Sequence, residues 1–399
     1  MLTMPQASFF LMRNVIQDYA WGSTTSMTKL FGIENVEQQP QAELWMGAHP
    51  NGCSQVEWNE QLIPLSQLIE QDKVACLSHS TAEHFGELPY LFKVLAAEKA
   101  LSIQVHPNKQ EAEVGFSAEE NTGVPLHAKE RNYKDANHKP ELVYALTPYQ
   151  AMNGFRPFEQ IVAQFQAMQL PSIAPLVTAL STQPTSSQLE TFFTSMLSLP
   201  EDVKCTAVSE LITYATQQAD DELMQLVLSL SEQYPNDIGL FAPLMLNVLT
   251  LQPGEAMFLS ARTPHAYIKG TGLEIMANSD NVLRAGLTPK HMDVGELVRC
   301  TRFEATSPDS LKLIPKEHDG SLSYPISVDD FKFTLLLASD DRQVEVVSAE
   351  ILLPLDEPLM LEDERGEQLR VEKGQSVFIP ACTASYTMNC EGRVARAHN

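Results

Sequence analysis

"LQPGEAMFLSARTPHAYIKG", residues 251–270, carries the pattern that decides the fold of this chain. Pro253 and Gly254 form a turn, and the apolar run that follows them is typical of a β-strand. His265 comes next, followed by Tyr267 at an interval of two, and side chains two apart lie on the same face of a strand. The stretch therefore predicts β-structure with a histidine exposed on one face.

A comparable stretch recurs downstream as "VEKGQSVFIPACTASYT", residues 371–387. When the two are set side by side, Gly254 matches Gly374, and the spacing of the apolar residues that follow is the same. We interpret them as two copies of a small β-barrel. In this register His265 stands opposite Ser385, so the first copy carries a possible metal ligand that the second has lost.

The composition is that of a globular enzyme with two to three domains: 399 residues, of which 44% are hydrophobic and 20% are charged. The net charge of −24 argues against binding to nucleic acid or to an anionic membrane surface. The six cysteines form no C-x-x-C pair, which favours a reducing compartment. No apolar stretch is long enough to span a bilayer. We expect a cytoplasmic protein that acts on a small molecule, and a monomer is the working expectation.

The spacing of apolar residues changes twice along the chain. Residues 40–155 contain short apolar segments broken by turn residues, which indicate strands. From Phe158 onwards apolar residues recur at helical intervals, and Pro157 suits a first helical turn. Residues 157–240 are therefore predicted to be helical, and strands return after them.

Two further stretches offer metal ligands. In "IQVHP", residues 103–107, the amide of Gln104 and the imidazole of His106 lie two apart and share a face. Combined with a carboxylate and with His265, they would form a set of nitrogen and oxygen donors that suits zinc. Such a site, with room for water or substrate, would be catalytic rather than structural.

The carboxylate comes from "YKDANHKPELVY", residues 133–144. Alternation by two predicts that Lys139 and Glu141 share one face and that His138 lies on the other. Spacing alone does not bring segments so far apart in the chain into one site.

The sequence resembles a known family at this point. "YKDANHKPE" and the run from residue 265 to residue 290 look like the two signatures of type I mannose-6-phosphate isomerases, also called phosphomannose isomerases. "NVIQDYAWGS", "AELWMGAHP" and "LSIQVHPNK" near the amino terminus are also similar to that family. The similarity covers the catalytic half nearly throughout and thins over the helical segment and the carboxy-terminal part.

The resemblance implies a mainly β protein with a helical insertion. Residues 1–156 and 241–300 would form a catalytic cupin, that is, a jelly-roll β-barrel. Residues 157–240 would form an all-α domain, and residues 301–399 a second, cupin-like β domain. It also implies one zinc ion per chain, and the family's four ligands fall on Gln104, His106, Glu141 and His265, the set that the strand faces had suggested.

The implied reaction is the interconversion of D-mannose 6-phosphate and D-fructose 6-phosphate through a cis-enediol. Zinc would act as a Lewis acid on the sugar oxygens. The family's active-site arginine falls on Arg284, which would either stabilise the enediolate or grip the phosphate. Lys290 and Ser102 are further candidates for binding the phosphate.

The proton transfer requires a group with a pKa tuned towards neutrality. Glu274, Lys139 and His138 are the candidates. We favour Glu274, because a carboxylate buried beside a metal can accept a carbon-bound proton; its alternative role is to orient a ligand or an arginine. Tyr267 and Asp280 are expected to orient the substrate or to take part in ring opening.

Two other classes of function fit the same residues in part. Two histidines and a carboxylate would also serve an iron-dependent cupin oxygenase, although a fourth ligand at Gln104 and the cations Arg284 and Lys290 favour a phosphorylated sugar. A non-catalytic sugar-binding or regulatory cupin is the second alternative, which the complete ligand set disfavours.

Overall fold

Strands dominate the structure outside one helical segment, as the sequence predicts. The structure is a computed structural model that describes residues 7–399. The strands are β1 Phe10–Arg13, β2 Val15–Gln17, β3 Glu43–Met46, β4 Gln55–Trp58, β5 Gln61–Pro64, β6 Tyr90–Ala97, β7 Ile103–Val105, β8 Glu141–Ala145, β9 Tyr149–Phe155, β10 Leu246–Leu251, β11 Ala256–Leu259, β12 His265–Ala277, β13 Leu283–Gly286, β14 Lys316–His318, β15 Ser321–Ser323, β16 Lys332–Leu336, β17 Ser339–Glu345, β18 Glu350–Pro354, β19 Leu359–Asp363, β20 Gln368–Val371, β21 Ser376–Ile379, β22 Ser385–Cys390 and β23 Val394–His398.

Helices fill the middle of the chain. The first helix of this segment begins at Phe158, directly after Pro157, and the last ends at Met245, five residues beyond the predicted boundary at residue 240. Among the described residues, no helix is long and apolar enough to cross a membrane. The helices are α1 Ser26–Phe31, α2 Leu65–Gln71, α3 Lys73–Leu77, α4 His79–His84, α5 Lys109–Thr122, α6 Phe158–Met168, α7 Ala174–Thr182, α8 Ser186–Leu197, α9 Glu201–Gln217, α10 Glu222–Gln233, α11 Ala242–Met245 and α12 Val294–Arg299.

Strand β12 is the central strand of the ten-stranded sheet that carries the predicted metal ligands. It is 13 residues long and pairs with β7 and β9 near its start and with β6 and β8 along its second half. Gly270 lies where the strand passes from one set of partners to the other. Its φ of +127° favours glycine, and a Cβ there would lie 2.5 Å from the Pro148 carbonyl oxygen. Strand β12, which begins at His265, thus connects the strands β7 and β9 to the strands β6 and β8.

The two stretches matched in the sequence have the same local structure. In each, a glycine with positive φ, Gly254 or Gly374, precedes a short strand, and a second strand begins at His265 in one and at Ser385 in the other. The surroundings of these two residues differ. Ser385 is partly exposed and donates a hydrogen bond to Glu364, and the interior beside β22 is filled by apolar side chains.

The pairing of the amino-terminal strands departs from the predicted domain boundaries. Strand β1 pairs with β21 of the carboxy-terminal part, and β4 and β5 extend the same nine-stranded sheet. Residues 10–13 and 55–64 therefore belong by hydrogen bonding to the carboxy-terminal sheet rather than to the catalytic sheets. Pairing between strands so distant in sequence leaves no local signal in either strand.

Candidate metal centre and active-site cavity

The structure brings three of the four predicted metal ligands together as a cluster. One nitrogen or oxygen atom of each of His106, Glu141 and His265 lies within 4.8 Å of the others, and all three residues are buried. Glu141 and His265 are the first residues of β8 and β12, and His106 directly follows β7. Strand ends therefore place these side chains, in keeping with the alternation read from the sequence.

Hydrogen bonds fix the tautomers of both histidines. Nδ1 of His106 lies 2.6 Å from the carbonyl oxygen of Asn281, and Nδ1 of His265 lies 2.9 Å from that of Thr263. Because a carbonyl oxygen can only accept a hydrogen bond, each neutral ring carries its proton on Nδ1. Both Nε2 atoms are then left with a lone pair, which is the form that binds metals.

The two Nε2 atoms face the carboxylate of Glu141. Nε2 of His106 lies 3.2 Å from Oε1, and Nε2 of His265 lies 3.6 Å from Oε2. Within the described residues, Nε2 of His106 is buried without a hydrogen-bond partner, so its short distance to Oε1 is not a hydrogen bond. Acceptors that face one another in a buried site are stabilised by a cation between them.

The charges of the cluster agree with a metal site. Burial lowers the pKa of His265 to about 4 and also lowers the pKa of His106. Burial alone would raise the pKa of Glu141, but the ammonium group of Lys139 holds it well below its usual range. At neutral pH the cluster therefore offers two neutral imidazoles and one carboxylate, a donor set that fits zinc.

Gln104 lies at the edge of this cluster. In β7 it is the register partner of His265 on one side and of Arg284 in β13 on the other. Its side chain is partly buried and borders both a large open cavity and a small one beside Glu141. This position suits a fourth ligand that faces incoming substrate.

Two predicted site residues contact the carboxylate of Glu141. The hydroxyl of Tyr267 donates a hydrogen bond of 2.5 Å to Oε2, and Nζ of Lys139 lies 3.1 Å from Oε1. Tyr267 is 4% exposed and does not line the large cavity, so its position suits orienting the carboxylate rather than the substrate contact that the sequence suggested. Lys139 borders both cavities and can reach a bound molecule.

Glu274 lies behind the ligands, in the small cavity. Its Oε2 is 2.8 Å from Nζ of Lys93, which also lies 3.7 Å from Glu43. Burial raises the pKa of Glu274; Lys93 opposes this shift, whereas Glu141 and Glu43 add to it. Glu274 lines the small cavity with Glu141 and His265 but not the large one, whereas Lys93 lines both. In this position a buried carboxyl with a raised pKa can act on a molecule that reaches the metal ligands from the large cavity.

The large cavity has a volume of about 1390 Å³ and contains most of the remaining predicted residues. Ser102, Asp280, Arg284 and Lys290 all line it. His138 does not, because its ring turns towards the carboxy-terminal domain and lies 3.0 Å from the Asp330 carboxylate. Its placement opposite Lys139 and Glu141 agrees with the predicted faces, but it removes His138 from the candidates for substrate binding and proton transfer.

Two family models match the chain. One describes the catalytic domain of type I phosphomannose isomerase and matches residues 9–158; the other describes the helical insertion domain of the same family and matches residues 161–246. The mannose-6-phosphate isomerase of Escherichia coli (strain K12) is 47% identical over 97% of this chain and 98% of its own length. The human mannose-6-phosphate isomerase is 38% identical over 79% of each chain. This chain belongs to the type I phosphomannose isomerase family.

Solved structures of phosphomannose isomerases have the same fold. A variant of the Salmonella typhimurium enzyme superposes with a TM-score of 0.95 at 45% identity and covers 98% of this chain and 100% of its own. A zinc-bound mannose 6-phosphate isomerase superposes with a TM-score of 0.93 at the same identity. The donor set of His106, Glu141 and His265 is thus found in a fold that is known in a zinc-bound form.

Sequence reasoning overlooks three cavity residues of this chain. Lys93 is the single cation in the fully buried strand β6, and this isolation is the signal that could have singled it out. Glu43 accepts a hydrogen bond from Trp45 and has no comparable signal. His49, which sequence analysis gives no reason to select, lies 5% exposed in the cavity wall, 3.5 Å from Asp280.

Replacing His265 with alanine should abolish zinc binding. We expect elemental analysis to find one zinc per wild-type chain and close to none in His265→Ala, because a ligand set without one imidazole binds zinc far less tightly. His318→Ala removes an exposed histidine of β14 and should leave the zinc content unchanged. Two tightly bound zinc ions per wild-type chain, or full occupancy in His265→Ala, would contradict this site.

Proposed function

We propose that this protein interconverts D-mannose 6-phosphate and D-fructose 6-phosphate. The observation that carries the proposal is the position of the ligand cluster, which opens through Gln104 onto a cavity that also contains the cations Arg284 and Lys290. A sugar phosphate needs both features, since its hydroxyls and carbonyl face the metal ligands while its anionic end meets the cations. The family's relatives are named for this reaction.

The cations are divided between the two ends of the substrate. Arg284 is the register partner of Gln104 and therefore lies on the strand next to a proposed metal ligand. In this position its guanidinium can stabilise the negative charge that develops on an enediolate. Lys290 follows four residues after β13 ends and suits the phosphate. Ser102, two residues before Gln104, offers a hydroxyl on the same wall.

The proton that moves between C1 and C2 is assigned to Glu274, with Lys93 beside it. Its raised pKa makes the carboxylate a stronger base than an ordinary glutamate, and the ammonium group of Lys93 stabilises the ionised carboxylate between turnovers. A bound zinc ion supplies Lewis-acid polarisation of the sugar oxygens. The transfer passes through a cis-enediol of the open-chain sugar.

Ring opening precedes that transfer and requires groups that take a proton from the anomeric hydroxyl and give one to the ring oxygen as the bond between C1 and that oxygen breaks. Asp280 lines the cavity and is held by His49 at 3.5 Å and by the side-chain amide of Asn51 at 2.8 Å. We assign ring opening to Asp280, positioned by these two residues. Tyr267 keeps the role of orienting Glu141.

The architecture that we infer is a pair of cupin barrels with a helical insertion. The supporting observation is the repeated unit around His265 and Ser385, of which only the first opens onto the ligand cluster. We place the helical insertion at residues 157–245. Strands β1, β4 and β5 belong to the second barrel. A cytoplasmic location and a monomeric state stay predictions from the sequence.

The direct test is a coupled assay that follows formation of fructose 6-phosphate from mannose 6-phosphate. We expect activity in the zinc-loaded protein, loss after treatment with a chelator, and recovery when zinc is returned, because the ligand cluster is the centre of the site. The activity should not require molecular oxygen. A zinc-loaded protein that binds mannose 6-phosphate without converting it would contradict the proposal.

Replacing Glu274 with glutamine should remove the base while keeping the shape of the side chain. We expect kcat to fall by about 10²- to 10⁴-fold, the range typical of a positioned general base, with unchanged zinc content. Glu255→Gln, at an exposed carboxylate paired with Lys312, is a matched control that should keep its activity. If Glu274→Gln isomerises at the wild-type rate, the base lies elsewhere.

Replacing Arg284 with alanine separates its two possible roles. If the guanidinium stabilises the enediolate, kcat should fall by about 10²- to 10³-fold with little change in KM. Zinc content should stay normal, and Arg284→Lys should restore part of the rate, because lysine keeps the charge but loses the planar fork. A variant with wild-type kcat and only a raised KM would assign Arg284 to the phosphate instead.

A further inference from the structure

We propose that Asp237, at the end of the helical insertion, is a positioning residue that holds the segment carrying Lys290 in the shape needed to bind the substrate phosphate. The inference rests on the proposed function, which supplies the phosphorylated substrate. It gives the helical insertion a task in catalysis that its distance in sequence from the metal ligands does not suggest.

Asp237 makes hydrogen bonds that link two parts of the chain. Its Oδ1 accepts from the backbone N–H of Gly239 at 2.7 Å, within its own turn, and from that of Leu287 at 2.8 Å. Its Oδ2 accepts from the N–H of Thr288 at 3.1 Å. One carboxylate thus fixes two consecutive peptide groups of the cavity wall, and hydrogen bonds to a charged group are stronger than neutral ones.

The segment held by Asp237 has a backbone that needs such support. Leu287 has a φ of +53°, a conformation that costs a residue with a side chain free energy. Gly286 has a φ of +131°, and a Cβ there would lie 2.6 Å from the Cα of Gly239. The segment therefore packs directly on the turn that Asp237 begins, and its left-handed residue lies at the point of attachment.

The electrostatics of the wall show why positioning matters. Burial lowers the pKa of Arg284, and both burial and the neighbouring charge of Arg284 lower the pKa of Lys290. Two cations that repel each other are held on one face of the cavity, which is costly without an anion and favourable with one. Fixing residues 287 and 288 sets the position from which Lys290 reaches that anion.

The same part of the insertion also contacts the segment that carries Ser102. The side-chain amide oxygen of Gln233 accepts from the N–H of Ala100 at 2.9 Å, and the hydroxyl of Tyr234 donates to the carbonyl oxygen of Ala100 at 2.5 Å. Ala100 precedes Ser102 by two residues. Residues 233–237 thus bridge the two segments that carry Ser102 and Lys290, and we expect them to set the distance between these groups.

The test compares Asp237→Ala and Asp237→Asn with a control from the same domain. Asp221→Ala removes a carboxylate that caps α10 by accepting from the backbone N–H groups of Leu223 and Met224, which do not line the cavity. For Asp237→Ala we expect KM for mannose 6-phosphate to rise about tenfold, with kcat within about threefold and zinc unchanged, since two charge-assisted hydrogen bonds to the wall are lost. Asp237→Asn should fall between it and wild type, and Asp221→Ala should keep the wild-type KM.

Inorganic phosphate gives a second readout that does not depend on turnover. Its dissociation constant, measured by calorimetry on the zinc-loaded protein, should rise in the Asp237 variants in parallel with KM and should not change in Asp221→Ala. If the wild-type protein binds phosphate but does not isomerise the sugar, the proposed function fails while this comparison still tests Asp237.

Several results would overturn the inference. They are a wild-type KM and a wild-type phosphate affinity in folded Asp237→Ala, a fall in kcat alone, or a wild-type protein that does not bind phosphate. If Asp237→Ala does not fold, Asp237→Asn decides alone, because it keeps an oxygen acceptor but presents an NH₂ group to one of the peptide N–H groups.

Discussion

The carboxylate of Glu141 between two neutral imidazoles is the constraint on which the site depends. Both histidines donate Nδ1–H to backbone carbonyls, so their other nitrogens can only accept, and both face a carboxylate that also only accepts. Tyr267 and Lys139 occupy the outer positions around the carboxylate. The arrangement is stable when a cation lies at its centre, which explains why so many buried polar groups converge on one point.

The rest of the fold places side chains from distant parts of the chain around the Glu141 carboxylate. Strand β12 begins with His265 and runs on through Glu274, so one strand carries a metal ligand and the proposed base. Strand β13 brings Arg284 alongside Gln104, and the helical insertion closes the far wall of the cavity. The interior beside β22, which matches β12 in the repeated pattern, is filled by apolar side chains, in agreement with a single metal centre.

Local pattern was enough to predict the elements and the faces of the site. Alternation by two placed Gln104 and His106 together and separated His138 from Glu141, and helical spacing located the insertion near Phe158. Long-range pairings were not predictable in this way. Strand β1 joins the last strands of the chain, and Lys93 pairs with Glu274 across two strands. Neither pairing depends on neighbours in the sequence, so Lys93, Glu43 and His49 were found only in the structure.

We expect one zinc ion, held by Gln104, His106, Glu141 and His265, to face the substrate cavity. Anomalous diffraction from crystals of the zinc-loaded protein, recorded on both sides of the zinc absorption edge, tests it most directly. The account predicts one strong peak per chain, about 2.0–2.2 Å from Nε2 of His106, Nε2 of His265, a Glu141 oxygen and the Gln104 amide oxygen. A peak in the second barrel, or none within reach of Glu141, would contradict it.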